Sequence, residues 1–142
     1  MPRWGVNKII QILLVYLFLA NVADALFVPM FSVFVTGWIE GATFSTIGFA
    51  IAIASVVKSI CQVPLARALD KHPGELDDFG AMLVGALIVT VGAFLLLAVR
   101  RPIELYAVNI FLGLGSALLM AAYYALFAHH ADKGAEIGRA HV

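Results

Sequence analysis

The chain has 142 residues, of which 63% are hydrophobic and only 13% are charged, and its formal net charge is zero. A soluble domain typically has about 25% charged residues, so this composition is that of a membrane protein. The neutral balance gives no sign of nucleic-acid binding. The single cysteine, Cys61, excludes an internal disulfide.

Four apolar segments are long enough to cross a bilayer. We predict helices at about residues 8–36, 43–69, 78–99 and 102–130. Residues 79–99 contain no Asp, Glu, Lys or Arg, and as a helix they would span about 30 Å, the thickness of the hydrocarbon core. The chain is therefore predicted to be an all-α membrane protein with four transmembrane helices.

Local signals predict where these helices begin and bend. Thr43 or Ser45 can cap the second helix, and Asp77 or Asp78 can cap the third. Pro29 lies inside the first helix and should kink it, because proline removes a backbone donor.

The positions of the basic residues predict the orientation in the membrane. Five fall on the side of the N-terminus and two on the other, namely Arg3, Lys8, Arg67, Lys71 and Lys133 against Arg100 and Arg101. The positive-inside rule then places the N-terminus in the cytoplasm, and we expect a multi-pass protein of the cell (inner) membrane. A secretory signal ending near Asp24 is the alternative, but the apolar run continues past that point to Ile39.

Two charged residues, Asp24 and Lys58, interrupt segments that are otherwise apolar. A charge in the bilayer centre costs from about 2.5 to more than 10 kcal/mol, so such residues usually face a pathway or a partner. Asn21 shares a helical face with Asp24, and we expect this polar stripe to face the bundle interior. Asp24 is a candidate proton carrier or a structural polar group, and Lys58 either pairs with it or extends towards the cytoplasmic surface.

Residues 58–71 and 74–79 carry a partial family motif. They resemble the loop between the second and third helices of the major facilitator superfamily of secondary transporters, with Asp70 and Lys71 at the acidic and basic positions. Gly113 and Gly115 of the fourth helix are in register with a second motif of that family, in which Asn109 stands where an arginine is usual.

The resemblance implies a fold and a function. The chain would form the first four helices of the six-helix N-terminal bundle, as a partial domain at residues 1–135. It would contribute to secondary active transport of a small solute by alternating access. Its partners would be that solute, protons, the lipid bilayer and missing C-terminal helices of the same chain, without nucleic acid, metal, cofactor or enzymatic activity.

The resemblance also assigns roles to residues. Asp24, Asn21 and Lys58 become candidates for proton coupling, and the spacing from Asp24 to Pro29 is similar to that in some drug/proton antiporters of the family. The cytoplasmic gating loop would contain Arg67, Asp70 and Lys71. Independently of the resemblance, Asn109 and Tyr123 share a face of the fourth helix and are possible substrate contacts.

The last seven residues, 136–142, match one reading frame of a widely used sequencing adapter. We therefore expect them to be read-through that packs poorly, and the chain to be a fragment that does not transport alone. Two alternatives remain open. One is a complete four-helix membrane scaffold or assembly protein, and the other is a small multidrug exporter that dimerises around the acid of its first helix.

Overall fold

The structure, a computed structural model, describes residues 8–71 and 74–139. This part of the chain forms four helices, α1 (Lys8–Trp38), α2 (Phe44–Asp70), α3 (Glu75–Leu96) and α4 (Pro102–Arg139). All four contain a segment that is long and apolar enough to cross a membrane. The predictions of an all-helical chain and of four helices able to span a membrane are thus confirmed.

Helix α4 lies at the centre, and α2 and α3 pack extensively against it. Two glycines of α4 mark these contacts. A Cβ on Gly113 would lie 2.7 Å from the Ala54 carbonyl oxygen of α2, and a Cβ on Gly115 would lie 2.6 Å from Ile88 of α3. Residues two positions apart on a helix, as Gly113 and Gly115 are, point about 200° apart around its axis. Helices α2 and α3 therefore pack on opposite faces of α4. Small residues allow this close approach, as in other membrane bundles.

Helix α1 is attached mainly near its two ends. Near Trp38, Phe31 and Val35 are buried in a cluster formed with the start of α2, the end of α3 and the start of α4. At the opposite end, which we call the Lys8 end, Leu13 is buried with Tyr123 and Leu126 of α4. Residues 21–30, between these two attachments, are all exposed. The middle of α1 therefore has little packing within the described chain.

The helix starts agree with the sequence in one case and differ in another. Thr43 caps α2 and forms a capping box with Thr46, which confirms one of the two caps that we predicted. Helix α3 begins at Glu75 with Gly74 as its N-cap, so the prediction that Asp77 or Asp78 caps it is wrong. The backbone amides of both aspartates donate to the Gly74 carbonyl, which starts the helix about one turn early.

Helices α1 and α4 are longer than predicted. Helix α1 continues through Pro29 to Trp38 as one helix. The backbone of α4 is helical to Arg139, beyond the predicted end near 130. No proline interrupts residues 131–139, and the two glycines there, Gly134 and Gly138, each disfavour a helix by only about 1 kcal/mol. The side chain of Ile137 and all of residues 140–142 lie outside the part that is described, so the predicted poor packing of the tail stays a prediction.

Candidate functional site

The polar stripe of α1 faces away from the bundle. Asn21 and Asp24 are both exposed, and both lie about midway between Lys8 and Trp38. The Asn21 side-chain amide donates to the Leu17 carbonyl oxygen at 2.7 Å, within its own helix. We expected this stripe to face the interior. The structure leaves it outside because α1 packs through its ends and not through its middle.

Asp24 is set apart chemically by its surroundings. Its carboxylate has no hydrogen bond or ion pair within the described chain, although it lies in electrostatic range of Tyr16 on the same helix. A carboxylate facing hydrocarbon at this depth would cost from about 2.5 to more than 10 kcal/mol. In a membrane, this face of α1 therefore needs water or further protein beside it.

Lys58 lies at a similar depth on α2 and is half-buried. No ion pair joins it to Asp24, since the described contacts between α1 and α2 are few. The α2 residues of the shared cluster, Ile47 and Ala50, lie two to three helical turns from Lys58, towards the Trp38 end. The structure therefore does not bring together the two charges that the sequence suggested could pair.

The predicted gating loop lies at the Lys8 end, where α2 ends. Arg67, Asp70 and Lys71 are all exposed, and Lys71 is the C-cap of α2. No hydrogen bond or ion pair of these three side chains occurs within residues 8–71 and 74–139. His72 and Pro73, which follow them, lie outside the described residues. The three side chains are thus available to a partner at this end of the bundle.

Asn109 is buried inside the bundle. It is 5% exposed, and its side-chain amide donates to the Leu105 carbonyl oxygen at 2.9 Å, one turn earlier in α4. The structure places it in the interior near the Trp38 end. A direct contact between Asn109 and a substrate would require a rearrangement of the helices around it.

Tyr123 joins α4 to α1. It is 2% exposed, and its hydroxyl donates to the Leu13 carbonyl oxygen at 3.2 Å. Its ring lies 5.8 Å from that of Tyr16 and 6.4 Å from that of Phe127, measured between centroids. Tyr123 therefore has a structural role in this arrangement, because its polar atom is already bonded and its ring is surrounded.

One buried acid was not recognised from the sequence. Asp78 of α3 is 4% exposed, and its Oδ1 has no hydrogen-bond partner among the residues that the structure describes. We had interpreted it only as a possible helix cap. The signal that could have revealed it is a spacing of seven residues from Asp78 to Gly85 and again to Gly92, which places all three on one face of α3.

Beside this acid, a cleft of about 460 Å³ opens at the Lys8 end between α1 and the α3–α4 pair. Its walls are mostly apolar, with Tyr16 and His130 as the polar side chains. The His130 Nδ1 lies 2.9 Å from the Leu126 carbonyl oxygen. A second apolar cleft, of about 320 Å³, lies between α1 and α3 near Trp38 and is lined by residues such as Phe27 and Leu96. Neither cleft includes Asp24.

No group of three or more His, Cys, Asp or Glu side chains that could hold a metal ion occurs among the residues described. The polar groups that remain as candidates for a functional site are the exposed stripe of α1, the half-buried Lys58, the charged end of α2 and the buried Asp78. In comparisons with known proteins, no protein-family profile, curated protein or solved structure matches this chain.

Proposed function

We propose that the chain is part of a secondary transporter of the major facilitator type, which moves a small solute across the cell membrane by alternating access. Asp24 is its proton-coupling residue, Asn21 lies beside it, and the N-terminus is cytoplasmic. The single observation that carries this proposal is the exposed Asp24 at the middle of a helix that is able to span the membrane.

The position of Asp24 supports a pathway more than a structural role. A structural acid in a membrane bundle would be bonded to a neighbouring helix, because an unpaired carboxylate is costly in hydrocarbon. Asp24 has no such bond to any part of residues 8–71 and 74–139 that the structure describes. Its stripe instead faces outwards, where water and further helices would form a polar cavity near the midplane, the usual place of a transporter site.

The chemistry required of Asp24 is simple. A carboxylate that takes up a proton loses its charge, and the neutral form crosses a low-dielectric barrier at lower free energy. Alternating exposure of Asp24 to the two sides would then couple proton movement to solute movement. The exposed residues Arg67, Asp70 and Lys71 would contact the other half of the transporter when the cytoplasmic side is closed.

The test is transport by the full-length protein with Asp24→Asn. Asparagine keeps the size of the side chain and its hydrogen bonding but cannot ionise. The substitution should therefore abolish proton-driven accumulation of the solute and spare its exchange down a gradient. Glu40→Gln, in the exposed connection after α1, is the matched control and should preserve accumulation. Accumulation by Asp24→Asn with unchanged dependence on external pH would refute the proposal.

A second candidate function is a small exporter that dimerises around Asp24. The observation that favours it is the same exposed stripe, since two copies could cover each other's α1. In that case Asp24→Cys, in a Cys61→Ser background, should form a disulfide between two chains in the membrane, whereas Leu26→Cys should not. The transporter proposal predicts no more cross-linking between chains at position 24 than at position 26.

A further inference from the structure

Helix α1 is held unequally at its two ends. At the Trp38 end, Val35 of α1 is buried in a cluster to which all four helices contribute. At the Lys8 end, Leu13 is buried with Tyr123 and Leu126 of α4, and the cleft of about 460 Å³ opens beside them. The Trp38 end of α1 is therefore the more firmly packed of the two.

The two connections at the Trp38 end are bonded to each other. Residues 39–43 join α1 to α2, and residues 97–101 join α3 to α4. The Glu40 backbone amide donates to the Arg100 carbonyl oxygen at 3.1 Å. The guanidinium carbon of Arg100 lies 4.1 Å from the centre of the Trp38 ring, which is within the range in which a cation is attracted to an aromatic face. Arg100 thus ties the end of α1 to the connection before α4.

Glu104, in the first turn of α4, holds the backbone of Arg100 in place. Its Oε2 accepts hydrogen bonds from the backbone amides of Arg100 at 2.9 Å and of Arg101 at 3.2 Å. Amides at the start of a helix have no partner within the helix, and an acid in the first turn commonly binds them in this way. The carbonyl oxygen and guanidinium of Arg100 are thereby held against Glu40 and Trp38. We call these four residues, Trp38, Glu40, Arg100 and Glu104, the Trp38 clasp.

Pro29 lies between the two attachments of α1. Because proline has no backbone N–H, the helix lacks one hydrogen bond at this point. Residues 21–30 are all exposed, so the described part of the chain gives this region little support. Helices bend most readily at a proline. On the Lys8 side of Pro29, α1 is held by the Leu13 cluster and by the hydrogen bond from Tyr123 to the Leu13 carbonyl oxygen.

We propose that the Trp38 clasp fixes one end of α1 and that residues 8–28 form a movable arm, which bends at Pro29 and separates from α3 and α4 at the Lys8 end. This motion widens the cleft there, since Leu13 of the arm and Phe79 of α3 line it. The inference rests on the packing of α1 and not on the proposed transport function, although Asp24 lies in the arm and would move with it.

The test compares how widely distances vary at the two ends of α1. Spin labels at Leu14→Cys and Ala128→Cys join α1 to α4 at the Lys8 end. A second pair, at Val33→Cys and Ala107→Cys, does so at the Trp38 end. All four parent residues are exposed, and every chain carries Cys61→Ser. Labelled chains are diluted with unlabelled chains in lipid nanodiscs, so that pulsed electron spin resonance reports distances within one chain.

In the parent chain, the distance distribution at the Lys8 end should be wider than that at the Trp38 end by about 1–2 Å, the size of common helix shifts. Pro29→Ala restores the missing backbone hydrogen bond and should narrow the distribution at the Lys8 end. Equal widths at the two ends of the parent chain would overturn the movable arm. An unchanged width in Pro29→Ala would overturn the bend at Pro29.

Two variants test the Trp38 clasp. Arg100→Gln removes the cation from the Trp38 ring, and Glu104→Ala removes the acceptor that holds the Arg100 backbone. Each should widen the distribution at the Trp38 end. Arg101→Gln is the matched control, because it removes a neighbouring arginine of the same connection whose backbone amide, and not its side chain, is bound by Glu104. A distribution in Arg100→Gln or Glu104→Ala that stays as narrow as in Arg101→Gln would overturn the clasp.

Discussion

The close approach of α3 to α4 at Gly85 allows a quantitative prediction of what one added methyl group does to stability. A Cβ on Gly85 would lie 2.6 Å from the backbone nitrogen and 2.8 Å from the Cα of Leu119, whereas ordinary contacts of this kind begin at 3.4 Å. These are backbone atoms, so no rotation of a side chain can relieve the clash. Helix α3 would have to move away from α4 by roughly 1 Å, which closely packed interiors resist.

Gly85→Ala should therefore destabilise the chain by about 1–3 kcal/mol, the usual cost of overpacking. Alanine's better helix propensity, about 1 kcal/mol, opposes only part of this loss. Gly80→Ala, in the same helix, is the control, because its added Cβ would meet nothing within 4 Å. The assay is unfolding in detergent by increasing SDS, followed by circular dichroism. If Gly85→Ala were as stable as Gly80→Ala, the close approach of α3 and α4 would be refuted.

Three other predictions concern packing, capping and assembly. Tyr123→Phe should lower the free energy of unfolding by about 1 kcal/mol through loss of the hydrogen bond to Leu13. Tyr124→Phe, whose parent side chain is half-exposed, should leave that free energy unchanged, and a larger loss in this second variant would contradict the prediction. Thr43→Ala should cost about 1 kcal/mol in the same assay and Ser45→Ala much less, because only the first residue caps α2; equal losses would count against the cap. Because the middle of α1 is uncovered, the purified chain should form heterogeneous oligomers in detergent, and a single species of defined stoichiometry by light scattering would favour the scaffold or exporter interpretation.

The sequence was sufficient to predict the helices because their signals are local. An apolar run about as long as the bilayer is thick needs no tertiary information to be recognised. The cap at Thr43 depends on residues three positions apart and was also predictable. The prediction for the start of α3 was wrong. Aspartate is a better N-cap than glycine by its intrinsic preference, which favoured Asp77 or Asp78, but the helix begins after Gly74.

The environment of the candidate site was harder to predict, because it depends on which helices meet. The stripe with Asp24 was expected to face inwards, as a polar face should in a bundle that encloses it. In the structure α1 is attached by Leu13 and Val35, near its ends, and the stripe between them is exposed. The helical period defines a face, but it cannot say which neighbour covers that face.

Asp78 shows the opposite error. Its place after a helix start suggested an exposed cap, whereas the glycines seven and fourteen residues later determine which face of α3 is buried. Burial of an acid was visible only through the packing of small residues further along the helix.

The most direct test of the proposed function asks whether water reaches Asp24 in the membrane. Asp24→Cys and Leu26→Cys, each in a Cys61→Ser background, are exposed to a membrane-impermeant thiol reagent in vesicles. Both parent residues are exposed on α1, but they point about 200° apart around the helix. A polar pathway predicts rapid modification at position 24 and little at position 26, which faces lipid. Equal reactivity at both positions, or none at position 24, would contradict the proposal that Asp24 lines a transport pathway.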